Sequence, residues 1–191
     1  MTASRNRTSI LARVVATCLP VLAVAGAAAA LISRRHPVGN HRVPEPLRPV
    51  SLQDYLGRWY EVARYEQSFE KDCEAVSADY SLRADGKIAI VNACRDANGK
   101  MRASRGTAKL VPGSNGAKLK VSFFGPLYVG NYWVLDHEED YGWAIVGDPT
   151  GRYLWILART PTPGETQLRG LINRAAALGY DTTRLVMTKQ P

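Results

Sequence analysis

Side chains that usually carry catalysis are few in this sequence, and they are not grouped. The three histidines are His36, His41 and His137, and the first two precede the strand-rich part of the chain. No spacing of His, Cys or Asp resembles a metal site, and no serine lies in a strand-turn-helix motif typical of a nucleophile. Asp136 and Glu138 flank His137 in an acidic stretch typical of a solvated loop. These observations predict a protein that is not an enzyme and needs no metal or cofactor.

Two cysteines could form a covalent cross-link. Cys73 and Cys94 lie in the strand-rich part of the chain, whereas Cys18 lies in an apolar N-terminal segment. A cysteine pair in an exported chain favours a disulfide, worth about 3 kcal/mol for a loop of this length. Two reduced core thiols are the alternative. A symmetric hairpin about Asp85-Gly86 leaves the cysteines out of register, so the bond requires a bulge or a bent loop.

The first 36 residues have the composition of a targeting segment. Three arginines precede an uncharged run, residues 14–32, that contains a stretch of small residues. Cleavage near Ala30 would release an exported protein, whereas the 19-residue run is also long enough to span a membrane as a tilted helix. Lipid attachment at Cys18 is a third interpretation, although the preceding residues fit a lipobox poorly. All three predict export, either to the cell envelope or by secretion.

The formal charge of +8 does not indicate a nucleic-acid-binding protein. Five arginines and no acidic residue lie within residues 1–36, and the remaining chain has 20 basic and 17 acidic side chains, a net charge of +3. This remaining part shows no basic stripe with interleaved aromatic residues. We therefore exclude nucleic acid from the predicted partners.

Short β-prone runs make up most of the chain after residue 50. They follow a proline-rich segment, residues 37–50, which is predicted to be an extended and poorly packed linker, and a helical turn capped by Ser51. Turn residues separate the runs, and no connection is long enough for a helical crossover. The predicted strands are 59–67, 75–82, 88–94, 101–111, 118–124, 131–135, 143–146 and 153–159.

After the last of these runs, the apolar residues recur at helical spacing. Thr162 is the predicted N-cap, Pro163 occupies the first helical position, and Gly179 ends the helix. Residues 185–187 are predicted to be a final short strand. The pattern predicts an all-β fold, an eight-stranded antiparallel up-and-down barrel with a C-terminal helix packed outside it. A β-sandwich is the alternative. Eight strands can enclose one small ligand.

Four ordered motifs, residues 57–64, 80–83, 119–126 and 153–161, resemble those of the lipocalin family. The resemblance is greatest to the bacterial outer-membrane lipocalins and apolipoprotein D, and it covers residues 52–191. It implies an eight-stranded barrel, in residues 51–191, that binds small hydrophobic molecules, which in the bacterial branch are fatty acids or lysophospholipids. The poor lipobox at Cys18 departs from the lipid-anchored members, so the resemblance leaves the outer-membrane anchor open.

The predicted strand order brings Trp59 and Arg159 to the same end of the barrel. The start of the first strand, the acidic loop and the end of the eighth strand all meet there. A guanidinium stacked on an indole is worth about 0.5–2 kcal/mol, and Gly57 permits a close backbone approach. Gly57, Trp59 and Arg159 are therefore predicted to close this end structurally, while the ligand enters at the other.

Ligand contacts are predicted near the open end. If Arg159 faces inward, alternation also turns Trp155 inward, about 14 Å nearer the mouth. Trp155 is the principal candidate, and packing against the outer helix is its alternative. The same alternation turns Tyr65 inward and makes Glu61 an interior carboxylate that needs a cationic partner. The mouth loops add Phe69, Phe124 and Tyr128.

The sequence thus predicts a binding protein that stores or transports a fatty acid, a lysophospholipid or a similar hydrophobic molecule. An enzyme acting on an apolar substrate in the same cavity is one alternative. A membrane-tethered barrel with a structural or interaction role is another. Besides the ligand, the predicted partner is a membrane, contacted through the N-terminal segment.

Overall fold

Nine strands and two α-helices form within residues 37–191, the part of the chain described by this computed structural model. In chain order they are α1 (Leu52–Tyr55), β1 (Gly57–Tyr65), β2 (Glu74–Leu82), β3 (Ile88–Arg95), β4 (Met101–Leu110), β5 (Lys118–Ser122), β6 (Gly130–His137), β7 (Trp143–Gly147), β8 (Leu154–Ala158), α2 (Glu165–Ala177), a 3-10 turn (Thr182–Arg184) and β9 (Leu185–Met187). The predicted targeting segment, with Cys18, lies outside the described residues. Among those described, no helix is both long and apolar enough to cross a membrane.

Pairing of β1 with both β8 and β2 closes the sheet into an antiparallel barrel. The first residues of β1, Gly57–Tyr60, pair with β2, and its last residues, Ala63–Tyr65, pair with β9. The eight-stranded barrel with an outer helix is therefore confirmed, and the sandwich alternative is wrong. We call the end at which β1 begins the closed end. Loops 66–73, 96–100, 123–129 and 148–153 lie at the other, open end.

Two apolar clusters cover the two faces of the barrel wall. The interior cluster includes Trp59, Ile90 and Leu119, and the outer cluster packs the wall against Leu171 and Ala175 of α2. Successive side chains of a strand point to opposite faces of the sheet. Apolar residues on the inner face therefore pack in the barrel interior, and those on the outer face pack against α2. α2 begins at Glu165 with Gly164 as its N-cap and no side-chain cap, so the predicted cap at Thr162 is wrong.

Residues 38–50 pack on the barrel wall, and the prediction of a poorly packed linker is therefore wrong. The N–H groups of Gly39 and Asn40 donate to the Gly151 carbonyl at 2.9 and 3.1 Å. The Asn40 side chain, which is buried, donates to the Leu178 carbonyl at 2.9 Å. Proline removes backbone donors from this segment, but the N–H groups of Leu47 and Val50 also donate to the barrel, to the carbonyls of Leu135 and Asn115, both at 2.9 Å.

A disulfide joins Cys73 to Cys94, which confirms the predicted pair. The β2–β3 ladder pairs Glu74 with Arg95 but Ser77 with Ala93, so its register shifts between these pairs. This register shift allows Cys73 and Cys94 to meet, which a symmetric hairpin would not allow. The bond ties the loop at residues 66–73 to the end of β3.

Removing this disulfide should lower the free energy of unfolding by about 3 kcal/mol. The bond joins residues 21 positions apart and restricts the unfolded chain. Urea unfolding of the oxidised protein and of the double variant Cys73→Ala/Cys94→Ala would measure the difference, with the reduced protein as a check on side-chain effects. A change below about 1 kcal/mol would show that the cross-link contributes little.

Candidate functional site

A guanidinium stacked on an indole fills the closed end of the barrel. Trp59 is fully buried, and the Arg159 guanidinium carbon lies 3.9 Å from the centroid of its ring. The indole N–H donates to the Tyr55 carbonyl at 2.8 Å. Gly57 has a φ of 95°, and a Cβ there would lie 3.4 Å from Arg159 Nη1. The structure thus brings Gly57, Trp59 and Arg159 together where strand order predicts.

The Arg159 guanidinium also holds the chain that enters the barrel. It donates to the carbonyls of Arg58, Asp54 and Leu56 at 2.7, 2.8 and 2.9 Å. Two of these carbonyls lie at or just beyond the end of α1, where a helix leaves acceptors without partners. A cation there satisfies the carbonyls and complements the helix dipole. Arg159 is therefore occupied by the closed end and is not available to a ligand.

Three tyrosine hydroxyls form a layer above this stack. The hydroxyls of Tyr55 and Tyr132 lie 2.8 Å apart, and the Tyr80 hydroxyl donates to that of Tyr132 at 3.0 Å. Burial raises the pKa of all three phenols, that of Tyr80 to about 12, so they stay neutral at physiological pH. Tyr132 is partly exposed, which makes this layer the base of the open half of the barrel.

Interior-facing side chains change from buried to partly exposed along the barrel axis. On β3, Ile90 is 3% exposed, whereas Asn92, one interior position nearer the open end, is partly exposed. On β5, Leu119 is buried and Val121 is partly exposed. The closed half is therefore a packed core, and solvent reaches the walls of the open half. We call this open half the cup; its interior-facing residues are Ala78, Asn92, Val121, Phe123, Tyr132 and Trp155.

Trp155 faces the cup, so its alternative position against the outer helix is wrong. The side chain packs on the interior cluster, and its indole N–H donates to Glu70 Oε2 at 3.0 Å. The Tyr153 ring stacks on it with 5.6 Å between centroids. Glu70 is not among the residues selected from the sequence. It lies in loop 66–73, and no local pattern indicates that this loop folds back over the barrel.

A buried ion pair anchors loop 66–73. Glu61 and Arg64 are 3% and 2% exposed, and their side chains lie 2.8 Å apart, so the cationic partner predicted for Glu61 is present. Arg64 Nη2 donates to the Glu70 carbonyl at 2.9 Å, and Nη1 contacts the Cys73 carbonyl at 3.5 Å. Burial raises the pKa of Glu61, and Arg64 opposes this rise. The Arg64 guanidinium therefore pairs with the Glu61 carboxylate and also holds loop 66–73 in place.

Tyr65 faces outward, and the prediction that it points into the barrel is wrong. The β1–β8 register shifts between Glu61 and Ala63, and this irregularity inverts the alternation that follows it. The Tyr65 ring packs edge-on against Tyr180 at 5.9 Å, and its hydroxyl donates to the Asp181 carbonyl at 2.9 Å. Its contacts are therefore with the outer layer.

The three aromatic residues predicted in the mouth loops are at the rim or outside it. Phe69 is 62% exposed and Phe124 is 83% exposed, both in open-end loops. The Tyr128 hydroxyl lies 3.0 Å from Thr107 Oγ1, and Lys109 lies over its ring at 4.9 Å. Thr107 and Lys109 flank the inward-facing Ala108 and so point outward. The structure therefore corrects the predicted contact at Tyr128.

Phe123 faces the interior of the barrel, whereas its neighbour Phe124, the predicted ligand contact in the mouth loop, is exposed. Phe123 packs on the interior cluster, and a Cβ on Gly106 would lie 2.8 Å from its ring. The Phe123 ring therefore occupies the space that a side chain at position 106 would fill. Counting alternation from Leu119 through Val121 would have identified Phe123.

Asp136 and His137, the first residues of the acidic stretch, end β6 and are buried, so the prediction of a solvated loop is wrong for them. Asp136 pairs with Arg174 at 3.1 Å. The two ring nitrogens of His137 lie 2.6 and 3.0 Å from the carbonyls of Glu138 and Pro49. These contacts hold the closed end together. No group of three or more His, Cys, Asp or Glu side chains within residues 37–191 is positioned to hold a metal ion.

Comparison with known proteins agrees with this geometry. Residues 50–190 match the family described as a lipocalin-like domain. The outer membrane lipoprotein Blc of Vibrio cholerae is 42% identical over 153 residues, which cover 78% of this chain and 89% of that protein. Apolipoprotein D of Mus musculus is 33% identical over 150 residues, covering 73% of this chain and 76% of that protein.

A solved structure has the same fold at low identity. Insecticyanin from the tobacco hornworm Manduca sexta superposes with a TM-score of 0.65 at 20% identity, covering 81% of this chain and 88% of that one. Lipocalins are generally binding proteins for small hydrophobic molecules rather than enzymes. The barrel topology and the match over most of the domain lead to one conclusion: the chain belongs to the lipocalin family, in the group that contains the bacterial Blc lipoproteins and apolipoprotein D.

Proposed function

We propose that this lipocalin binds a single-chain amphiphile, such as a fatty acid or a lysophospholipid, in the cup and stores or carries it unchanged. The observation that supports this is the gradient of exposure inside the barrel. Val121, Phe123 and Trp155 pack on the interior cluster and are partly exposed, above a packed lower half. An acyl chain that displaces water from these side chains stabilises the complex by about 25 cal/mol per Å² of apolar surface buried.

We also propose that the protein acts in the bacterial cell envelope. The composition of residues 1–36 supports export, and the relatives in Vibrio cholerae and Escherichia coli are named outer membrane lipoproteins. A disulfide between Cys73 and Cys94 suits an oxidising compartment. Mass analysis of the N-terminus of the protein isolated from cells would distinguish cleavage near Ala30, acylation at Cys18 and a retained membrane anchor.

Native mass spectrometry of the purified protein tests the binding function. We expect a co-purifying lipid with a single acyl chain, and re-binding of one equivalent after delipidation. Trp155→Ala should weaken this binding about tenfold, because it removes a large apolar surface from the cup. Tyr128→Ala, on the outer face, is the matched control and should bind normally. Absence of co-purifying lipid, together with no binding of added fatty acid or lysophospholipid, would contradict the proposal.

A further inference from the structure

Two hydrogen-bond acceptors in the cup lack a full set of partners. Glu70 Oε2 accepts the Trp155 N–H, but Oε1 accepts no hydrogen bond from the described residues. Asn92 Oδ1 is buried and also has no partner within residues 37–191. Asn92 shares the inward face of β3 with Ile90 and lies opposite Ala78. Buried acceptors are usually paired, so Asn92 Oδ1 indicates a place for a donor, and Glu70 Oε1, on a partly exposed side chain, is free to accept from the same donor.

The disulfide brings both acceptors to one side of the cup. Glu70 precedes Cys73 by three residues, and Asn92 precedes Cys94 by two, while the Cα atoms of the bonded cysteines are 5.6 Å apart. The Glu70 carboxyl extends inward, because it accepts the hydrogen bond of the inward-facing Trp155 indole. Glu70 and Asn92 are therefore placed to contact the same ligand group.

The charges around this position do not favour an anion. Arg64 is the only buried lysine or arginine within residues 37–191, and it lies beside three carboxyl groups, those of Glu61, Glu66 and Glu70. Its Nη atoms already donate to Glu61 and to the Glu70 and Cys73 carbonyls, which leaves only Nε without a partner. A fatty-acid carboxylate would add a further negative group around a guanidinium that already neutralises Glu61 and Glu66.

We propose that Glu70 and Asn92 form a head-group subsite that binds the ammonium group of a single-chain amphiphile, so that the cup selects amine-bearing lipids over free fatty acids. This inference rests on the proposed binding function and specifies its ligand. An ammonium has three donors and no acceptor, which matches Glu70 Oε1 and Asn92 Oδ1. Its bond to a carboxylate is charge-assisted. The acyl chain would then lie along Trp155 and Val121.

Opposite pH dependences for amines and acids should accompany this selectivity. Burial and the nearby Glu61 raise the pKa of Glu70 to about 8, and the Trp155 N–H and Arg64 oppose that rise. Glu66 pairs with the same Arg64 at 3.6 Å, and Tyr80, which also lies near Glu70, has a pKa of about 12 and stays neutral. Below about pH 8, Glu70 carries a proton that an ammonium must displace but that a carboxylate can accept in a hydrogen bond. Amine affinity should therefore rise, and acid affinity fall, from about pH 6 to about pH 9.

A matched series of hexadecylamine, hexadecanol and hexadecanoic acid tests the subsite by calorimetric titration of the purified protein. At about pH 8.5 we expect the amine to bind at least about tenfold more tightly than the acid. Glu70→Gln should remove this preference and both pH dependences, and the retained hexadecanol affinity would show that the variant is folded. Asn92→Ala should weaken amine binding without changing acid binding. Arg102→Gln is the control, because Arg102 lies exposed opposite Cys94 at the rim and should not affect the preference.

Tighter binding of the acid than of the amine at this pH would overturn the subsite, as would a preference that survives Glu70→Gln. Loss of acid binding in Arg102→Gln, with no preference for the amine, would place the head group at the rim and also overturn it. If all three compounds bind with equal affinity, the subsite is wrong but the binding function stands. If none binds, the proposed function itself fails.

Discussion

Trp59→Ala should lower the free energy of unfolding by about 4 kcal/mol, the range expected when a large buried aromatic side chain is truncated. Trp59 is fully buried, so its removal leaves a cavity at the closed end. The substitution also removes the stack with Arg159 and the hydrogen bond to the Tyr55 carbonyl. Urea unfolding followed by far-ultraviolet circular dichroism would measure the change.

Trp59→Phe is the matched control for this prediction. It retains an aromatic plate beneath Arg159 but loses the N–H, so a smaller loss of about 1–2 kcal/mol is expected. Because the layer of Tyr55, Tyr80 and Tyr132 separates Trp59 from the cup, the folded variant should bind ligand normally. A loss below about 1 kcal/mol in Trp59→Ala would show that the closed end can collapse around the cavity.

Arg64→Met should lower the free energy of unfolding by about 3–5 kcal/mol. Glu61, which is 3% exposed, would lose its cationic partner and remain in an environment that disfavours its charge. Loop 66–73 would also lose the donors to the Glu70 and Cys73 carbonyls. Chemical unfolding near neutral pH would measure the change.

The double variant Glu61→Leu/Arg64→Met separates the buried charge from the loss of packing. Replacing both partners with apolar side chains should recover most of the stability, because no unpaired charge is left. The Arg64→Met penalty should also depend on pH. Burial raises the pKa of Glu61 and Arg64 opposes the rise, so loss of Arg64 raises this pKa further. The part of the penalty that comes from the unpaired Glu61 charge is therefore absent below about pH 4 and grows as the pH rises, whereas the loss of the loop contacts remains at every pH. An equal penalty at about pH 4 and at about pH 7 would contradict this explanation.

Strand ends were predictable because the turns that set them are local. Asp85-Gly86 and Asn98-Gly99 each place glycine at a positive φ, 75° and 76°, where other residues are strained. The ends of the predicted strands at 82, 88 and 101 agree with the structure. The closed end was equally predictable, since an antiparallel meander determines which strand ends meet Trp59.

The orientations of the Tyr65 and Glu70 side chains could not be predicted from local sequence patterns. The irregularity between Glu61 and Ala63 precedes the segment to which β9 adds, and this pairing joins residues far apart in sequence. Loop 66–73 is positioned by Arg64 and by the disulfide, so the inward position of Glu70 depends on tertiary contacts. Residues 38–50 were misread for the same reason, because a proline-rich composition does not show which of the remaining N–H groups find acceptors.

Bromine quenching of tryptophan fluorescence determines whether the cup holds an acyl chain beside Trp155. Of the four tryptophans, Trp155 faces the cup and Trp59 lies beneath the tyrosine layer. Trp133 and Trp143 belong to the outer cluster. A single-chain lipid brominated along its chain should quench the wild-type protein saturably at one equivalent. The quenching should disappear in Trp155→Phe and persist in Trp143→Phe. Absence of saturable quenching, or equal quenching in Trp155→Phe, would show that no chain lies in the cup.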